Sequence, residues 1–211
     1  MKHLLIVGGG GFSRDVYNFA LESKGYGHEY DIKGFLDIDP HSMDGFKGYP
    51  PILGDENSYT IQEDDIFITA IGDNHIRQKA ADIISSKGGK FITLVHNTAR
   101  IHTNADLGNG CIVQPQAFVG ADTAIGDHTY IQNNDVIGHD VKIGAYCRID
   151  CNVVFVGGTS AADYVTVHTN SVINHKVSLG NDVIVGACSF VIRKVKDGMT
   201  VCGNPAKHFD I

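Results

Sequence analysis

Hydrophobic positions in the first 95 residues alternate between short apolar runs and stretches with a helical repeat. A run ending in four glycines opens the chain, and Ser13 is a plausible N-cap for a helix after them. A second amphipathic helix is predicted from Asn74 to about Ser86, with Ile76, Ala80 and Ile84 on its apolar face. The predicted strands are Leu4–Val7, Lys33–Asp37, Phe67–Ile71 and Phe91–Val95. This alternation predicts a small parallel α/β domain over residues 1–95, similar to half of a dinucleotide-binding fold.

The second part of the chain follows a different period. From Ile101 to Val191, fifteen of the sixteen positions spaced six apart are Ile, Leu, Val or Phe. Glycine often follows them, and the residue four places after each is mostly small or β-branched, with Asp135 as the charged exception. A period of six fits neither an α-helix nor an alternating strand, but it fits a coil with one hexapeptide on each of three faces. Residues 96–211 are therefore predicted to form a parallel β-helix of about five coils.

Each part of the repeat has an expected place in this coil. The aliphatic side chains should point into the core, and the small residues should fill the remaining interior. The glycines are expected near the corners, where they adopt positive φ angles without steric cost. Because the register is unbroken from 101 to 191, no large loop is expected within the β-helix.

Composition narrows the class of protein. The 211 residues include 17 basic and 24 acidic side chains, so the net charge of −7 argues against a general binder of nucleic acid or anionic membranes. No apolar run reaches the length of a membrane span or a signal peptide, which makes a cytoplasmic location the default expectation. Five cysteines without a C-x-x-C spacing are interpreted as free thiols, and no metal site is expected.

Several motifs together resemble one enzyme family. They are GGGGFSRDV at 8–16, GFLD at 34–37, IGDNHIR at 71–77, LVHNTARI at 94–101, VIGHDVKIG at 136–144 and the tail CGNPAK at 202–207. With the hexapeptide repeat, this set resembles the bacterial sugar acetyltransferases that have a left-handed β-helix. The resemblance extends to sialic-acid O-acetyltransferase and to N-acetyltransferases of the bacillosamine and perosamine type. It implies a homotrimer with active sites between neighbouring β-helices, acetyl-CoA as the donor, and a nucleotide-linked sugar bound by the first domain.

The resemblance assigns roles to residues of the β-helix. His139 matches the general base and Asp140 its partner, in keeping with the near-neutral pKa of imidazole. Because adjacent strand residues point to opposite faces, the two side chains can meet only near a corner. Gly157 matches the residue whose backbone N–H binds the thioester carbonyl oxygen. Gly186, Arg193 and Lys194 match the region that binds the pantetheine and phosphates of CoA.

The chain also departs from the family. Arg148 stands where related enzymes often have a second histidine, nine residues after the base. An arginine stays protonated, so it cannot act as a base, but it can bind a phosphate or a carboxylate of the substrate. His102, His128 and His168 have no match in the family and are interpreted as surface or interface residues.

The first domain has its own candidate residues. The loop with Gly8, Gly10 and Gly11 leads into a helix whose N-terminus can bind phosphate. The loop does not match the G-x-G-x-x-G fingerprint of dinucleotide-binding proteins. This mismatch favours the binding of one mononucleotide rather than NAD. The remaining candidate substrate-binding residues are Ser13, Arg14, Asp37, Asp39 and Asn74, with Arg77 and Asn74 organising the third loop.

The sequence thus predicts an acetyl-CoA-dependent N-acetyltransferase that acts on a nucleotide-activated amino sugar, without a covalent enzyme intermediate. O-acetylation of sialic acid or another glycan hydroxyl is the alternative within the class. Two other classes stay open: a dinucleotide-dependent sugar enzyme with an accessory β-helix, and a non-catalytic trimeric nucleotide-sugar-binding protein.

Overall fold

The computed structural model describes residues 1–209 and divides into two compact units, with the boundary between Asn97 and Thr98. Asp210 and Ile211, the last residues of the predicted second domain, lie outside the described residues. The elements of the first unit are β1 (Lys2–Val7), α1 (Gly11–Leu21), β2 (Tyr30–Leu36), β3 (Asp65–Thr69), α2 (Asn74–Ser86) and β4 (Leu94–Val95).

The first unit contains the predicted parallel sheet, with strand order β2-β1-β3. Its core is made by apolar side chains of these strands and of α2, namely Leu5, Val7, Leu36, Phe67, Ala80 and Ile84. Phe91 forms only an isolated bridge with Phe67, so the predicted last strand shortens to β4. All three strands run in the same direction, and their carboxyl ends therefore meet at one edge.

Helix α1 does not start where predicted, whereas α2 runs over Asn74–Ser86 as predicted. Helix α1 begins at Gly11, two residues before the predicted N-cap, and the side chain of Ser13 is buried inside the helix. The Ser13 hydroxyl donates to the carbonyl of Ala70 at 3.3 Å, which ties the helix to the residue after β3. Helix α2 is capped by Asp73 rather than Asn74, because the Asp73 carboxylate accepts from the N–H groups of His75 and Ile76.

The second unit repeats one short strand every six residues. These strands are β5 (Arg100–Ile101), β6 (Asp106–Leu107), β7 (Ile112–Val113), β8 (Phe118–Val119), β9 (Ala124–Ile125), β10 (Tyr130–Ile131), β11 (Val136–Ile137), β12 (Lys142–Ile143), β13 (Arg148–Ile149), β14 (Val154–Phe155), β15 (Ser160–Ala161), β16 (Thr166–Val167), β17 (Val172–Ile173), β18 (Ser178–Leu179), β19 (Ile184–Val185) and β20 (Phe190–Val191). Strands β21 (Thr200–Cys202) and β22 (Lys207–His208) follow. Each strand of the repeat ends at one of the predicted aliphatic positions.

The strands form three parallel faces of a β-helix. Face 1 stacks β5, β8, β11, β14, β17 and β20; face 2 stacks β6, β9, β12, β15 and β18; face 3 includes β7, β10, β13, β16, β19 and β21. Face 1 has six levels, one more than the predicted number of complete coils, because the repeat starts and ends on this face. The continuous pairing confirms that no loop interrupts the register.

The prediction that the repeat glycines adopt positive φ angles is wrong. The positive φ angles occur two places further on, at every sixth residue from Gly110 to Cys188. Half of the non-glycine residues there are Asn or Asp, which tolerate this conformation best after glycine. The repeat glycines are required by space instead. A Cβ added to Gly126, for example, would lie 2.5 Å from the carbonyl carbon of Gly144 in the next coil.

Candidate active site

His139 and Asp140 form a hydrogen-bonded pair at the corner between faces 1 and 2. Asp140 adopts a positive φ of 56°, which turns its side chain toward the preceding residue. The Nδ1 atom of His139 lies 2.7 Å from Oδ2 of Asp140. In a neutral imidazole, donation from Nδ1 to this carboxylate leaves the lone pair on Nε2. Both side chains are about two-thirds exposed (66% and 65%), so the pair is accessible to a substrate.

Gly157 lies directly above His139 in the next coil. A Cβ added to Gly157 would lie 2.5 Å from Nε2 of His139, so only glycine leaves room for the imidazole. The N–H of Gly158 donates to the carbonyl of His139 at 2.9 Å, which fixes the two coils relative to each other. Within residues 1–209, the N–H of Gly157 itself has no hydrogen-bond partner.

The open N–H of Gly157 contrasts with equivalent positions at another corner. There, Asn109, Ala145 and Asn181 each donate the corresponding N–H to an aspartate side chain of the following coil. The residue that follows Gly157 by one coil is His175. This corner therefore combines an imidazole with a free lone pair and a backbone donor that can bind a developing negative charge.

The last coils contain the other residues predicted for CoA. Arg193 and Lys194 line a small cavity of about 140 Å³ together with Met199, Ala206 and His208. Gly186 has a packing reason for being glycine, because an added Cβ would lie 2.8 Å from Cβ of Cys202. The structure thus places two of the three residues at one cavity and Gly186 against β21.

The predicted glycine loop of the first unit lines a cavity of about 360 Å³. Gly8, Gly10, Gly11 and Asp37 all contribute to it, at the carboxyl edge of the sheet. The cavity also includes residues that the sequence reasoning missed, namely Phe12, Ile38, Glu56, Ile71, Gly72 and the exposed side chain of Ile76 (55%). Ile76 follows the helical repeat of α2, so sequence periodicity alone places it in the core.

The remaining candidates of the first unit lie around this cavity rather than in its lining. Asp39 accepts from the N–H of His41 at 2.9 Å and so stabilises a turn. The guanidinium of Arg14 stacks on the ring of Phe46, 3.7 Å from its centroid. Asn74 accepts from Arg77 at 2.9 Å, and Arg77 donates to the carbonyl of Ile71, so this pair organises the third loop as predicted.

Arg148 does not lie beside His139. It is the first residue of β13 on face 3, and its guanidinium binds the carboxylate of Asp150 at 2.9 and 3.1 Å. His168 binds the same carboxylate, whereas His128 is buried and stacks on Tyr146, so His128 is not a surface residue.

Among the described residues, no group of three or more His, Cys, Asp or Glu side chains is arranged to bind a metal. Nor does any helix within residues 1–209 have the length and apolar character to cross a membrane.

Comparisons with known proteins bear on the fold of both units. Residues 3–84 match the family model of the PglD N-terminal domain. A search of curated proteins finds no match. The structure of PerB from Caulobacter crescentus in complex with CoA and GDP-perosamine is similar over 100% of this chain and 98% of that one, with 28% identity and a TM-score of 0.89.

Two further structures are similar over nearly their whole length. The acetyltransferase domain of PglB from Neisseria gonorrhoeae, in complex with acetyl coenzyme A, matches 99% of each chain with 27% identity and a TM-score of 0.90. WeeI from Acinetobacter baumannii shares the fold, with 20% identity, a TM-score of 0.86 and coverage of 99% and 100%. These findings confirm the resemblance that the motifs predict: the chain is similar over its whole length to sugar acetyltransferases with a left-handed β-helix, and residues 3–84 match the PglD N-terminal domain.

Proposed function

We propose that this chain is an acetyl-CoA-dependent N-acetyltransferase that acetylates the amino group of a nucleotide-linked sugar, with His139 as the general base. The observation that supports this most strongly is the corner of His139, Asp140 and Gly157. There, Nε2 of His139 faces Gly157, whose backbone N–H has no hydrogen-bond partner within residues 1–209. Acetyl transfer needs these two functions together, a base for the amine and a donor for the carbonyl oxygen.

The residues at this corner fit a thioester, because the missing side chain of Gly157 leaves a gap beside the imidazole. Acetyl-CoA supplies an activated acetyl group. His139 accepts a proton from the sugar amine while the new C–N bond forms, and the same proton passes to the sulfur as the C–S bond breaks. Asp140 stabilises the imidazolium that exists between these two transfers. Within the described residues, no Ser or Cys hydrogen-bonds to His139, which favours direct attack over a covalent enzyme intermediate.

The glycine-loop cavity of the first unit is our proposed nucleotide site. Its volume of about 360 Å³ lies in the usual range for small-molecule pockets. The N-terminal N–H groups of α1 at Gly11 suit a diphosphate, and the Asp37 carboxylate suits ribose hydroxyls or a base N–H. Arg14, held by Phe46, adds a positive charge near the same helix end. Ser13, Asp39 and Asn74 support this loop through their bonds to the backbone and to Arg77.

Several finer points belong to the same proposal. Arg193 and Lys194 are suited to the phosphates of CoA, because their side chains are exposed and line one cavity.

We propose a homotrimer, since the clefts between β-helices would bring further side chains to His139. A cytoplasmic location accords with the five free cysteines. The similarity to PerB, which was solved with CoA and GDP-perosamine, supports an amino-sugar acceptor.

Two of the alternatives have less support, namely an acceptor with an extra anionic group and a dinucleotide-dependent enzyme. Arg148 was the feature that favoured an acceptor with an extra anionic group, and its charge is already compensated by Asp150. The three-stranded sheet offers room for one mononucleotide half rather than two, which disfavours a dinucleotide enzyme.

The acceptor is tested by following thiol release from acetyl-CoA with wild-type protein. The panel contains UDP-, GDP- and dTDP-linked 4-amino sugars, the same sugars with a hydroxyl in place of the amine, and free sialic acid. We expect turnover with at least one amino sugar and none with its hydroxyl analogue. Turnover only with hydroxyl acceptors would instead establish an O-acetyltransferase, and binding of a nucleotide sugar without any thiol release would indicate a binding protein.

A further inference from the structure

Two carboxylates with different surroundings line the glycine-loop cavity of the first unit. Oδ1 of Asp37 accepts from the N–H of Asp39 at 2.8 Å, so part of its hydrogen-bonding capacity is used by a turn. Glu56 is partly buried, and within residues 1–209 its carboxylate has no hydrogen-bond or ion-pair partner. Because an ionised carboxylate only accepts hydrogen bonds, Glu56 suits a ligand that presents donors to this cavity.

The backbone places Glu56 at the outer side of the cavity. Residues 51–54 run parallel to the end of β2, on the side away from β1, and the N–H of Asp37 donates to the carbonyl of Gly54 at 2.9 Å. Glu56 therefore lies beyond Asp37 along the carboxyl edge, whereas the glycine loop follows β1 on the other side. Two strand spacings, roughly 10 Å, separate the glycine loop from this outer segment.

Two sets of hydrogen bonds fix the loop that carries Glu56. The Asp55 carboxylate accepts from the N–H groups of Asn57 at 2.8 Å and Ser58 at 3.1 Å, which closes a turn around Glu56. The ammonium of Lys87, the residue after α2, donates to the carbonyls of Glu56 and Asn57, both at 3.0 Å. The backbone on each side of Glu56 is thus held, and its side chain starts from a defined position at the cavity.

Apolar side chains at the same cavity suit the faces of a planar ring. Ile38 directly follows Asp37 and is 80% exposed, and Ile76 on α2 is 55% exposed. Isoleucine is usually buried, so two exposed isoleucines at one cavity indicate a ligand with apolar faces. A nucleobase has such faces and also a polar edge. The phosphates would then lie at the glycine loop, the ribose at Asp37 and the base near Glu56.

The polar edges of the bases decide which base fits a carboxylate. Guanine presents two neighbouring donors, N1–H and the N2 amine, and the two oxygens of one carboxylate can accept from both. Uracil and thymine present one N–H between two carbonyl oxygens, which a carboxylate repels. Adenine and cytosine present an amine next to a ring nitrogen that accepts, so they offer a carboxylate one donor only.

We propose that Glu56 selects guanine, so that the amino sugar acetylated by this protein is linked to GDP. The carboxylate of Glu56 accepts from N1–H and the N2 amine, and Asp37 accepts from a ribose hydroxyl. Asp55 and Lys87 are positioning residues that hold the loop. This inference deepens the proposed function by naming the nucleotide, and it rests on the nucleotide site proposed there.

The first test measures the binding of free nucleoside diphosphates to the wild-type protein by calorimetry, without acetyl-CoA. GDP should bind more tightly than UDP and dTDP by on the order of tenfold or more, as expected for a bidentate contact to guanine. IDP, which keeps N1–H but lacks the N2 amine, should bind about tenfold more weakly than GDP. UDP or dTDP binding as tightly as GDP, or equal affinities for GDP and IDP, would overturn the inference.

The second test removes the charge of Glu56 without changing its size. The amide of Glu56→Gln would present a donor to a donor of guanine, whereas it complements N3–H and O4 of uracil. The preference for GDP over UDP should therefore fall by about tenfold, with an unchanged melting temperature. Glu63→Gln, an exposed acidic residue of the same unit outside the cavity lining, is the matched control and should keep the wild-type preference.

Two further variants separate selection of the base from binding in general. Lys87→Met frees the loop and should lower the preference for GDP over UDP, whereas Asp37→Asn should weaken both nucleotides equally, because both contain the same ribose. An unchanged preference in Glu56→Gln would overturn the inference.

Failure of this inference and failure of the proposed function give different results. Tighter binding of UDP or dTDP, with thiol release on the corresponding amino sugar, would overturn the selection of guanine and leave the N-acetyltransferase function standing. Binding of GDP that depends on Glu56, without thiol release on any GDP-linked amino sugar, would overturn the proposed activity but support the selection of guanine. No binding of any nucleoside diphosphate would overturn the proposed nucleotide site and this inference with it.

Discussion

At the scale of single residues, the site depends on two backbone features that no side-chain pattern reveals. The positive φ of Asp140 brings its carboxylate to Nδ1 of His139, although the two residues are adjacent in the chain. The absent side chain of Gly157 leaves space for the imidazole of the coil below. The sequence predicts that the pair can meet only at a corner, and the structure places it there.

Gly157→Ala tests whether this space matters. The new Cβ would lie 2.5 Å from Nε2, and the exposed imidazole can swing away, so the fold should be retained while the base is displaced. We expect turnover to fall by about a hundredfold, since displacements of about 1 Å have effects of this size. The variant is compared with wild type by steady-state thiol release and by thermal unfolding. A well-folded variant with the wild-type rate would show that Gly157 is not part of the site.

At the scale of elements, the repeat predicts the β-helix well because one geometric rule applies to every coil. Each aliphatic position ends a strand, as the spacing of six requires. The reasons for glycine are harder to predict, because Gly126 is constrained by the backbone of Gly144, which is 18 residues away. In the first unit, Ser13 and Ile76 were misplaced for a related reason. The helical periodicity of Ile76 is real, but the sheet edge determines that Ser13 bonds to Ala70 and that Ile76 lines a cavity.

Asp135 is the charged exception inside the β-helix, and its protonation should make stability depend on pH. Burial raises the pKa of Asp135 to about 9, although the N–H groups of Val153 and Gln132 favour the ionised form. The unfolded chain loses this proton near pH 4, whereas the folded chain keeps it up to about pH 9. The stabilisation is therefore complete below pH 4 and is lost progressively as the pH rises toward 9.

Asp135→Thr should remove this dependence. Thr123 occupies the equivalent interior position two hexapeptides earlier, and its hydroxyl bonds to Gly138 and Val141 of the next coil. We expect the variant to be more stable at pH 8 by on the order of 1 kcal/mol, or about 2–4 °C in melting temperature at this chain length. The gain should shrink toward pH 4, as measured by unfolding at several pH values. Parallel stability curves for variant and wild type would contradict a protonated Asp135.

At the scale of the whole molecule, two units with different periodicities supply complementary chemistry. The first offers a glycine-loop cavity with Asp37 at the carboxyl edge of a parallel sheet. In the proposed function, the second contributes His139 as the base and the N–H of Gly157 as the donor, at one corner of its stacked coils. The motifs predict both sites, whereas the Asp150–His168 pair depends on the stacking of successive coils and is visible only in the structure.

The central claim is that His139 is the general base, and replacing its side chain tests that claim most directly. Turnover of acetyl-CoA and the best amino sugar is measured for wild type, His139→Ala and the control His28→Gln, which replaces an exposed histidine of the first unit, with acetyl-CoA binding followed by calorimetry. We expect His139→Ala to lose about 10²–10⁴-fold in kcat, the usual contribution of a general base, while it still binds acetyl-CoA. Equal kcat values in wild type and His139→Ala would contradict the account.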